Sequence, residues 1–424
     1  MKILANLSVY RIIRIWHGFC SYKAVTIRDE RGRIMREAVV VSAVRSPMGK
    51  YRGALTSITP HELAATVLKE AVKRSKVDPE EIGEVIYSNI MEKEYNNIAR
   101  YVALEAGLPI SVPGITIDRQ CGSSLNGVAY AALLIMAGQH DVVVTGGVEM
   151  DTRRPWLLSK PTQPYQLQEP KFLNVSTSPV RFEETSMLAT AENLAEMYNL
   201  TREDVDRFAV ESHRRAAAAW ANHAFDEQLV PIEFRDRKGN VTVVASDETI
   251  RPETTLETLA KLPVASGRKD GICTAGNSSP LTDGASAVVV MEKNKAIELG
   301  CEILGTFKGY ESAGVEPHIM GIGPVYAVRK LLARTGLKNE DIDLIEMNEA
   351  FAAQSLPCIK ELGMDTEKLN VNGGAIALGH PLAATGGFLT AKLLYEMKKR
   401  DVKRGIVTFC CAGGQGVAAL FERE

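Results

Sequence analysis

The chain has little of what marks a membrane, secreted or nucleic-acid-binding protein. No apolar stretch is long enough to span a bilayer. Its 7 cysteines are odd in number and irregularly spaced, which argues against a disulfide framework and indicates reduced thiols in a cytosol-like compartment. The net charge of −2 argues against generic nucleic-acid binding. What remains is an ordinary globular protein, and because 424 residues exceed the usual size of one core, two or more domains are expected.

One of the few cysteines lies where an apolar run ends and a helical pattern begins. Cys121 follows the run 114–117, and apolar residues recur at helical spacing from Ser123 onward. A thiol at a helix N-terminus meets partial positive charge and free backbone N–H groups, which we expect to lower its pKa and to hold an oxyanion. A lone cysteine is more commonly a buried structural residue. Cys121 is therefore a candidate nucleophile only in combination with other residues.

Segments near the C-terminus supply such residues. His380 lies on a glycine-rich turn ahead of a helix, and Cys410 ends the apolar run 405–409. A cysteine nucleophile needs a base within hydrogen-bond reach, often one that is distant in sequence. Forming a carbon–carbon bond also needs a proton shuttle of suitable pKa, which a second thiol can supply. Together with Asn348, these residues predict one catalytic site.

With these blocks the chain resembles the thiolases, which are acetyl-CoA acyltransferases. The matching blocks follow one another in the family's order, at 118–124, 274–280 with 283–285, 348–352, 370–386 and 410–416. The similarity begins near Met35 and covers about nine-tenths of the chain. It implies an α/β fold of the thiolase type, a five-layer αβαβα arrangement of two pseudo-twofold-related halves with an inserted loop domain.

An internal repeat agrees with two halves. The segment 77–88 parallels 337–348, and Cys121 and His380 follow the two copies at nearly equal distances. Repeated strand–helix–strand units imply that the nucleophile and the histidine occupy equivalent turns and meet where the halves pack.

The resemblance and the repeat together predict the domain boundaries. The predicted units are an N-terminal extension at 1–34, an N-terminal half at 35–151 and 281–302, a CoA-binding loop domain at 152–280, and a C-terminal half at 303–424. The extension is basic, with no acid before Asp29. It has the bias of an organellar transit peptide, but we favour an upstream extension of the reading frame, because Met35 starts the family-like sequence.

Two helices are predicted inside the loop domain. One amphipathic pattern runs from 185 to 198. A second begins at Thr201, where a capping-box spacing with Asp204 marks a helix start, and runs to about His223.

The resemblance also assigns binding positions. In thiolases the loop domain covers the active site and binds coenzyme A, which is a substrate rather than a resident cofactor. The residues that match substrate-binding positions are Met187, Ala275, Gly276, Ser279 and Met320. A biosynthetic thiolase usually has histidine immediately before that first methionine, whereas this chain has Ser186. Ser124, Ser186 and Ala383 depart from the family pattern and could reshape the acyl pocket.

The implied reaction is cleavage of a 3-ketoacyl-CoA by free CoA. His380 takes the proton of Cys121, the thiolate attacks the 3-keto carbon, and Cys410 protonates the departing acetyl-CoA enolate. Asn348, through a water, and His380 stabilise the enolate oxygen, and the backbone N–H groups of Cys121 and Ala412 stabilise the tetrahedral intermediate. The same groups run in reverse as a condensation, and no metal or redox cofactor is needed.

Three functions stay open at this point. Thiolysis of 3-ketoacyl-CoA is favoured over dedicated acetoacetyl-CoA synthesis, because a Cys-Gly-Ser-Ser start also occurs in degradative members. A decarboxylating ketoacyl synthase typically pairs its cysteine with two histidines, and here Cys410 replaces the second. A non-catalytic acyl-CoA-binding relative would usually have lost a catalytic residue, and this chain keeps all four. The expected partners are acyl-CoA substrates and further copies of the chain, as a homodimer or homotetramer, in the cytoplasm, or in an organellar matrix if 1–34 is a transit peptide.

Other conspicuous residues are predicted to serve structure. Cys411 beside Cys410 makes a poor chelate, so no metal site is predicted. Glu349 is interpreted as a structural hydrogen-bond acceptor. The residues predicted to be buried small hydrophobes are Cys273, Cys301 and Cys358, and those predicted to lie at the surface are His213 and His223.

Overall fold

The computed structural model describes residues 36–424 apart from 93, 162–168, 174, 180–181, 183–185 and 236–238. The predicted extension at 1–34 lies outside the described residues. The strands are β1 Ala38–Arg45, β2 Gly49–Lys50, β3 Glu84–Ser88, β4 Gly114–Thr116, β5 Val142–Met150, β6 Ile232–Arg235, β7 Val241–Val244, β8 Thr282–Glu292, β9 Gly305–Gly314, β10 Leu344–Met347, β11 Arg404–Cys411 and β12 Gln415–Glu422.

The helices lie between these strands and cover the sheet that they form. They are α1 Pro60–Ser75, α2 Ile98–Glu105, α3 Ser123–Met136, α4 Met187–Met197, α5 Arg202–Ala221, α6 Leu256–Leu259, α7 Lys293–Glu298, α8 Gly323–Thr335, α9 Ala352–Leu362, α10 Ala375–Leu378 and α11 Thr385–Arg400. Within the described ranges, none is long and apolar enough to cross a membrane.

One large sheet runs in the order β10-β11-β12-β9-β1-β8-β5-β3-β4, with β2 beside β8. β1 and β9 join through only two residue pairs, Val39 with Thr306 and Val40 with Gly305. On either side of this short contact the pairings repeat. Parallel β3–β5 corresponds to β10–β11, antiparallel β5–β8 to β11–β12, and antiparallel β8–β1 to β12–β9. The two pseudo-twofold-related halves predicted from the sequence are therefore confirmed.

Helices separate the two half-sheets and cover their outer faces. α3 and α11 contact each other and strands of both halves, so they form the central layer. α1 and α2 cover the first half and α8 covers the second. Because both faces are covered, β1, β5 and β8 are buried along their whole length and are rich in valine and other small residues. This is the predicted five-layer αβαβα arrangement.

The insertion between β5 and β8 carries α4, α5, α6 and the β6–β7 hairpin. α5 begins at the predicted capping box, in which Thr201 accepts from the Asp204 N–H and Asp204 from the Thr201 N–H. α4 packs against α9, and α5 packs against α9 and α10. The insertion thus lies against the elements that flank Asn348 and His380.

Candidate active site

The turn that carries Cys121 is held in an uncommon backbone conformation. Gln120 has a φ of +51°, in the left-handed region that non-glycine residues seldom adopt. The Ser123 hydroxyl fixes this turn, accepting from the Arg119 N–H at 2.8 Å and donating to the Gln120 carbonyl at 2.6 Å. Gly122 caps α3 without a side-chain bond. Cys121 therefore stands immediately before the N-terminus of a helix, whose first two amides, of Gly122 and Ser123, donate to the carbonyls of Arg119 and Gln120.

Burial, rather than the helix terminus, decides the charge of the nucleophile. It raises the pKa of the Cys121 thiol to about 12, although the backbone N–H groups of Ala412 and of Cys121 itself contact the sulfur and lower the pKa. The carboxylates of Glu149 and Asp118 raise it further. The expectation that the helix N-terminus gives a low pKa is therefore wrong, because desolvation outweighs the amide contacts. Cys121 rests as a neutral thiol and needs a base.

The imidazole of His380 has the form that such a base requires. Its Nε2 lies 3.4 Å from Nδ2 of Asn348, and its Nδ1 lies 2.7 Å from Oγ1 of Thr385. Because an amide nitrogen can only donate, this arrangement places the His380 proton on Nδ1 and a lone pair on Nε2. Burial lowers the pKa of His380 to about 4. The ring is therefore neutral at physiological pH and can accept a proton.

The second thiol lies at the end of β11. Cys410 is 2 % exposed, and burial raises its pKa well above the usual value, followed by the effects of Cys121 and Cys411. Side chains alternate along a strand, so Cys411 points to the other face. Its sulfur accepts from the Gly122 N–H, and a Cβ at Gly122 would lie 2.7 Å from that sulfur. The two loops that carry Cys121 and Cys410 are thus in direct contact.

Glu349 ties the loop of Asn348 to its surroundings. It is buried and accepts from the Ser212 hydroxyl at 2.5 Å, from Asn370 Nδ2 at 2.8 Å and from the Ile376 N–H at 3.3 Å. These donors come from α5, from the glycine-rich segment and from α10. Glu349 therefore has the structural role predicted for it. The neighbouring Asn348 has its Oδ1 buried without a hydrogen-bond partner among the described residues.

A cleft opens beside these loops. Its wall includes Ala275 and Gly276, two of the predicted substrate-binding residues. Lys50 and Arg251 bring positive charge to the wall, and His213 lines it from α5. A cleft with two cations and small, close-packed residues suits an elongated ligand that carries phosphates.

An apolar cluster leads from this cleft to Cys410. It contains Met320, Phe351 and Cys410, with Met187 packed against it. Leu259 and Ile376 belong both to this cluster and to the wall of the cleft, and so connect the two. The Ser279 N–H donates to the Ala350 carbonyl at 3.0 Å, which places Ser279 beside the Asn348 loop. Of the predicted substrate-binding residues, Ala275 and Gly276 thus line the cleft, Met187 and Met320 belong to the adjoining apolar cluster, and Ser279 contacts the Asn348 loop.

Comparison with known proteins identifies the family that carries this site. The family model "Thiolase, N-terminal domain" matches residues 38–294, and "Thiolase, C-terminal domain" matches residues 301–423. The chain belongs to the thiolase family. The thiolase identification, the thiolase fold and the acyltransferase class predicted from the sequence are confirmed.

Individual thiolases resemble this one along nearly the whole chain. An acetyl-CoA acetyltransferase of Cupriavidus necator is 43% identical over 394 residues, which cover 92% of this chain and 100% of that protein. A 3-ketoacyl-CoA thiolase of Bacillus subtilis is 42% identical over 401 residues, with coverage of 92% and 100%. The crystal structure of human mitochondrial 3-ketoacyl-CoA thiolase in complex with CoA has a TM-score of 0.86, 37% identity and coverage of 92% and 98%.

Sequence reasoning misplaced one histidine of this thiolase. His213, predicted to lie at the surface, is only 5 % exposed and lines the cleft, where its Nδ1 accepts from the Arg251 N–H at 3.2 Å. The residues one turn away on either side, Ala209 and Ala216, are buried. That helical spacing was the available signal, and the surrounding charges concealed it. His223, at the end of the same helix, is exposed as predicted.

Ser186 is the N-cap of α4, where its hydroxyl accepts from the Ala189 N–H at 3.2 Å. The residue that replaces the usual histidine thus stabilises a helix start, as serine commonly does.

Of the three cysteines predicted to be buried, Cys273 and Cys358 are buried, whereas Cys301 is partly exposed.

The environment of His380 gives this thiolase a testable pH dependence. Because burial lowers the pKa of His380 to about 4, the ring remains an acceptor of protons until the pH approaches that value. We expect the acid limb of kcat/KM for thiolysis near pH 4 to 5, well below the ordinary histidine pKa of about 6.5. Circular dichroism at each pH would confirm that the protein is still folded. An acid limb at about 6.5 would show that the imidazole is not desolvated.

Proposed function

We propose that this thiolase cleaves 3-ketoacyl-CoA with coenzyme A, giving acetyl-CoA and an acyl-CoA shortened by two carbons. The proposal is supported by four groups that match the thiolase pattern, with an amide 3.4 Å from the imidazole and one thiol near enough to raise the pKa of the other. These groups are Cys121, Cys410, His380 and Asn348. Each supplies what one step of a thiolytic cleavage requires.

The first half of the reaction would acylate Cys121. His380 Nε2 takes the thiol proton as the sulfur attacks the 3-keto carbon, and the N–H groups of Cys121 and Ala412 donate to the oxyanion that forms. The carbon–carbon bond then breaks, and its electron pair leaves as the enolate of acetyl-CoA. Cys410 protonates the enolate carbon, while His380 and a water held by Asn348 stabilise the enolate oxygen.

The second half would transfer the acyl group to CoA. The Cys410 thiolate takes the proton of the incoming CoA thiol, and the resulting thiolate attacks the acyl carbon on Cys121. Collapse of the tetrahedral intermediate releases the Cys121 thiolate, which recovers its proton from His380. Burial, which raises the pKa of the Cys410 thiol, makes the Cys410 thiolate a strong base for this step.

The cleft is proposed to take the CoA portion of both substrates. Lys50 and Arg251 offer positive charge to its phosphates, and the apolar cluster around Met187 and Met320 would enclose the less polar arm. CoA enters as a substrate, and the proposal includes no permanently bound cofactor or metal. We place the reaction in the cytoplasm.

Synthesis of acetoacetyl-CoA is the second candidate. The relative from Cupriavidus necator is named acetyl-CoA acetyltransferase, and the same residues acting in reverse would condense two acetyl-CoA molecules. The acyl pocket, rather than the catalytic groups, separates the two candidates. The pocket distinguishes acyl chains by apolar fit, so only kinetics with different chain lengths will discriminate.

The three reacting side chains can be removed singly. We expect Cys121→Ala, His380→Ala and Cys410→Ser each to lower kcat by about a thousandfold or more while the protein stays folded, because each supplies a separate proton transfer or bond. Cys301→Ser is the matched control, since this partly exposed cysteine lies outside the site and should leave kcat unchanged. Near-normal thiolysis by one of the three variants would remove that residue from the mechanism.

Substrate length can be tested directly. We expect kcat/KM for thiolysis to be higher with a long-chain 3-ketoacyl-CoA than with acetoacetyl-CoA, each measured with saturating CoA. Activity confined to acetoacetyl-CoA would instead establish the second candidate. Failure of both substrates would contradict the proposal that this thiolase is catalytic.

We further propose that the thiolase assembles as a homodimer through β4, and that a homotetramer would join two such dimers through a second surface. Among the described residues this edge strand pairs only with β3, and beside it large apolar side chains are exposed, with Ile110 at 83% and Ile115 at 47%. A second copy would cover this face by pairing β4 with β4 about a twofold axis. Light scattering should give a multimer for the wild type and for the control Ile297→Lys, which alters a distant residue that is 60% exposed, and a monomer for Ile115→Lys. A monomeric wild type would refute the assembly.

A further inference from the structure

Three threonine hydroxyls hold the turn that carries His380. Thr282 accepts from the His380 N–H at 2.9 Å, and Thr385 lies 2.7 Å from its Nδ1. Thr249 donates to the carbonyl of Leu378 at 2.8 Å, two residues before the histidine. Gly379, between them, has a φ of +102°, a conformation that needs such support from its neighbours. The placement of the imidazole therefore depends on three elements that are distant in sequence.

Thr249 differs from the other two because it belongs to the wall of the cleft. Glu248, Thr249 and Arg251 all line that wall. The Arg251 N–H donates to His213, and Glu248 accepts from the backbone N–H of Lys50 at 3.2 Å. The short segment 247–251 thus includes Arg251, contacts the backbone of Lys50 on one side and reaches the turn of His380 on the other.

A buried ion pair fixes the start of this segment. Asp247 pairs with Arg45, their side chains are both 0% exposed, and Nη2 lies 2.9 Å from Oδ2. The guanidinium also lies 5.2 Å from the ring centre of Phe225 and 4.8 Å from that of Phe388. Asp247 accepts from the Met48 N–H at 2.8 Å as well. Because Asp247 is anchored, a displacement of Arg251 is confined to the residues between them, which include Thr249.

We propose that Thr249 is a positioning residue that couples occupation of the cleft to the placement of His380. Phosphates held by Lys50 and Arg251 fix the segment 247–251, and the bond from Thr249 to Leu378 passes that constraint to the turn of the histidine. His380 then reaches the Cys121 proton more readily when the cleft is occupied. This inference rests on the proposed function, in which the cleft takes CoA.

The coupling can be measured without turnover. The probe is 3′-phospho-ADP, the nucleotide end of CoA, which lacks the arm that would block Cys121. Alkylation of Cys121 by iodoacetamide forms a carbon–sulfur bond, releases iodide and passes the thiol proton to His380, so its rate reports on the base. We expect saturating probe to accelerate alkylation of the wild type about fivefold, a typical coupling between two sites.

Single-residue variants distinguish a loss of the coupling between cleft and His380 from a general loss of structure. Thr249→Val, which removes the hydroxyl at nearly constant shape, should bind the probe but lose the acceleration, whereas Thr249→Ser should keep it. Thr335→Val is the matched control, because Thr335 also donates to a backbone carbonyl, that of Leu331 at 2.8 Å, but lies in α8. Thr249→Ala provides a second test should the valine variant fail to fold.

The alkylation rates test the coupling separately from the proposed thiolase function on which it rests. An accelerated rate in Thr249→Val equal to that of the wild type would overturn the coupling. A wild type that binds the probe without any change in alkylation rate, or that does not bind it, would overturn it too. Thiolysis by the wild type with intact CoA is measured separately, so an active enzyme with an unresponsive Cys121 would leave the proposed function standing.

Discussion

The site depends on one close approach, between the first turns of α3 and α11. A Cβ at Gly386 would lie 2.2 Å from the backbone nitrogen of Leu125, so no side chain fits between the two helices. The Gly387 N–H donates to the Ser124 hydroxyl at 3.1 Å across the same contact. A reactive turn precedes each helix, with Cys121 before α3 and His380 before α11. Packing the two halves through glycine at this point brings the helix that follows Cys121 against the helix that follows His380.

Enclosure between the halves also sets the chemistry. Burial raises the pKa of both thiols and lowers that of His380, so all three groups rest uncharged. A neutral thiol is a weak nucleophile, so attack by Cys121 needs removal of its proton, for which the neutral imidazole of His380 is the candidate base. The charged residues Lys50, Glu248 and Arg251 lie apart from these groups, on the wall of the cleft.

Most of the fold could be predicted from the sequence, and candidate site residues could be named, because both depend on local sequence patterns. The repeated segments 77–88 and 337–348 predicted the paired halves, the spacing after Thr201 predicted the start of α5, and the thiolase blocks indicated Cys121, His380 and Cys410. The predictions that were wrong concern properties that depend on contacts between segments distant in sequence. The pKa of Cys121 depends on how deeply the two halves enclose the thiol. The position of a cysteine at a helix N-terminus does not indicate that depth.

Two further residues show the same limit. His213 lies in a charged stretch, yet tertiary packing turns it toward the cleft. Thr249 belongs to no motif, and its contact with Leu378 joins residues 129 apart in sequence. Side chains that support a catalytic group from elsewhere in the chain become visible only when the chain is folded, since any threonine would look the same in the sequence.

We propose above all that Cys121 carries the acyl group between the two halves of the reaction. The most direct measurement is mass spectrometry of the protein after incubation with acetoacetyl-CoA in the absence of free CoA, followed by peptide mapping. The account predicts one acetyl group on Cys121, its removal on addition of CoA, and none in Cys121→Ala. An acetyl group on Cys410 or Cys411 instead, or thiolysis that proceeds normally in the Cys121→Ala variant, would contradict it.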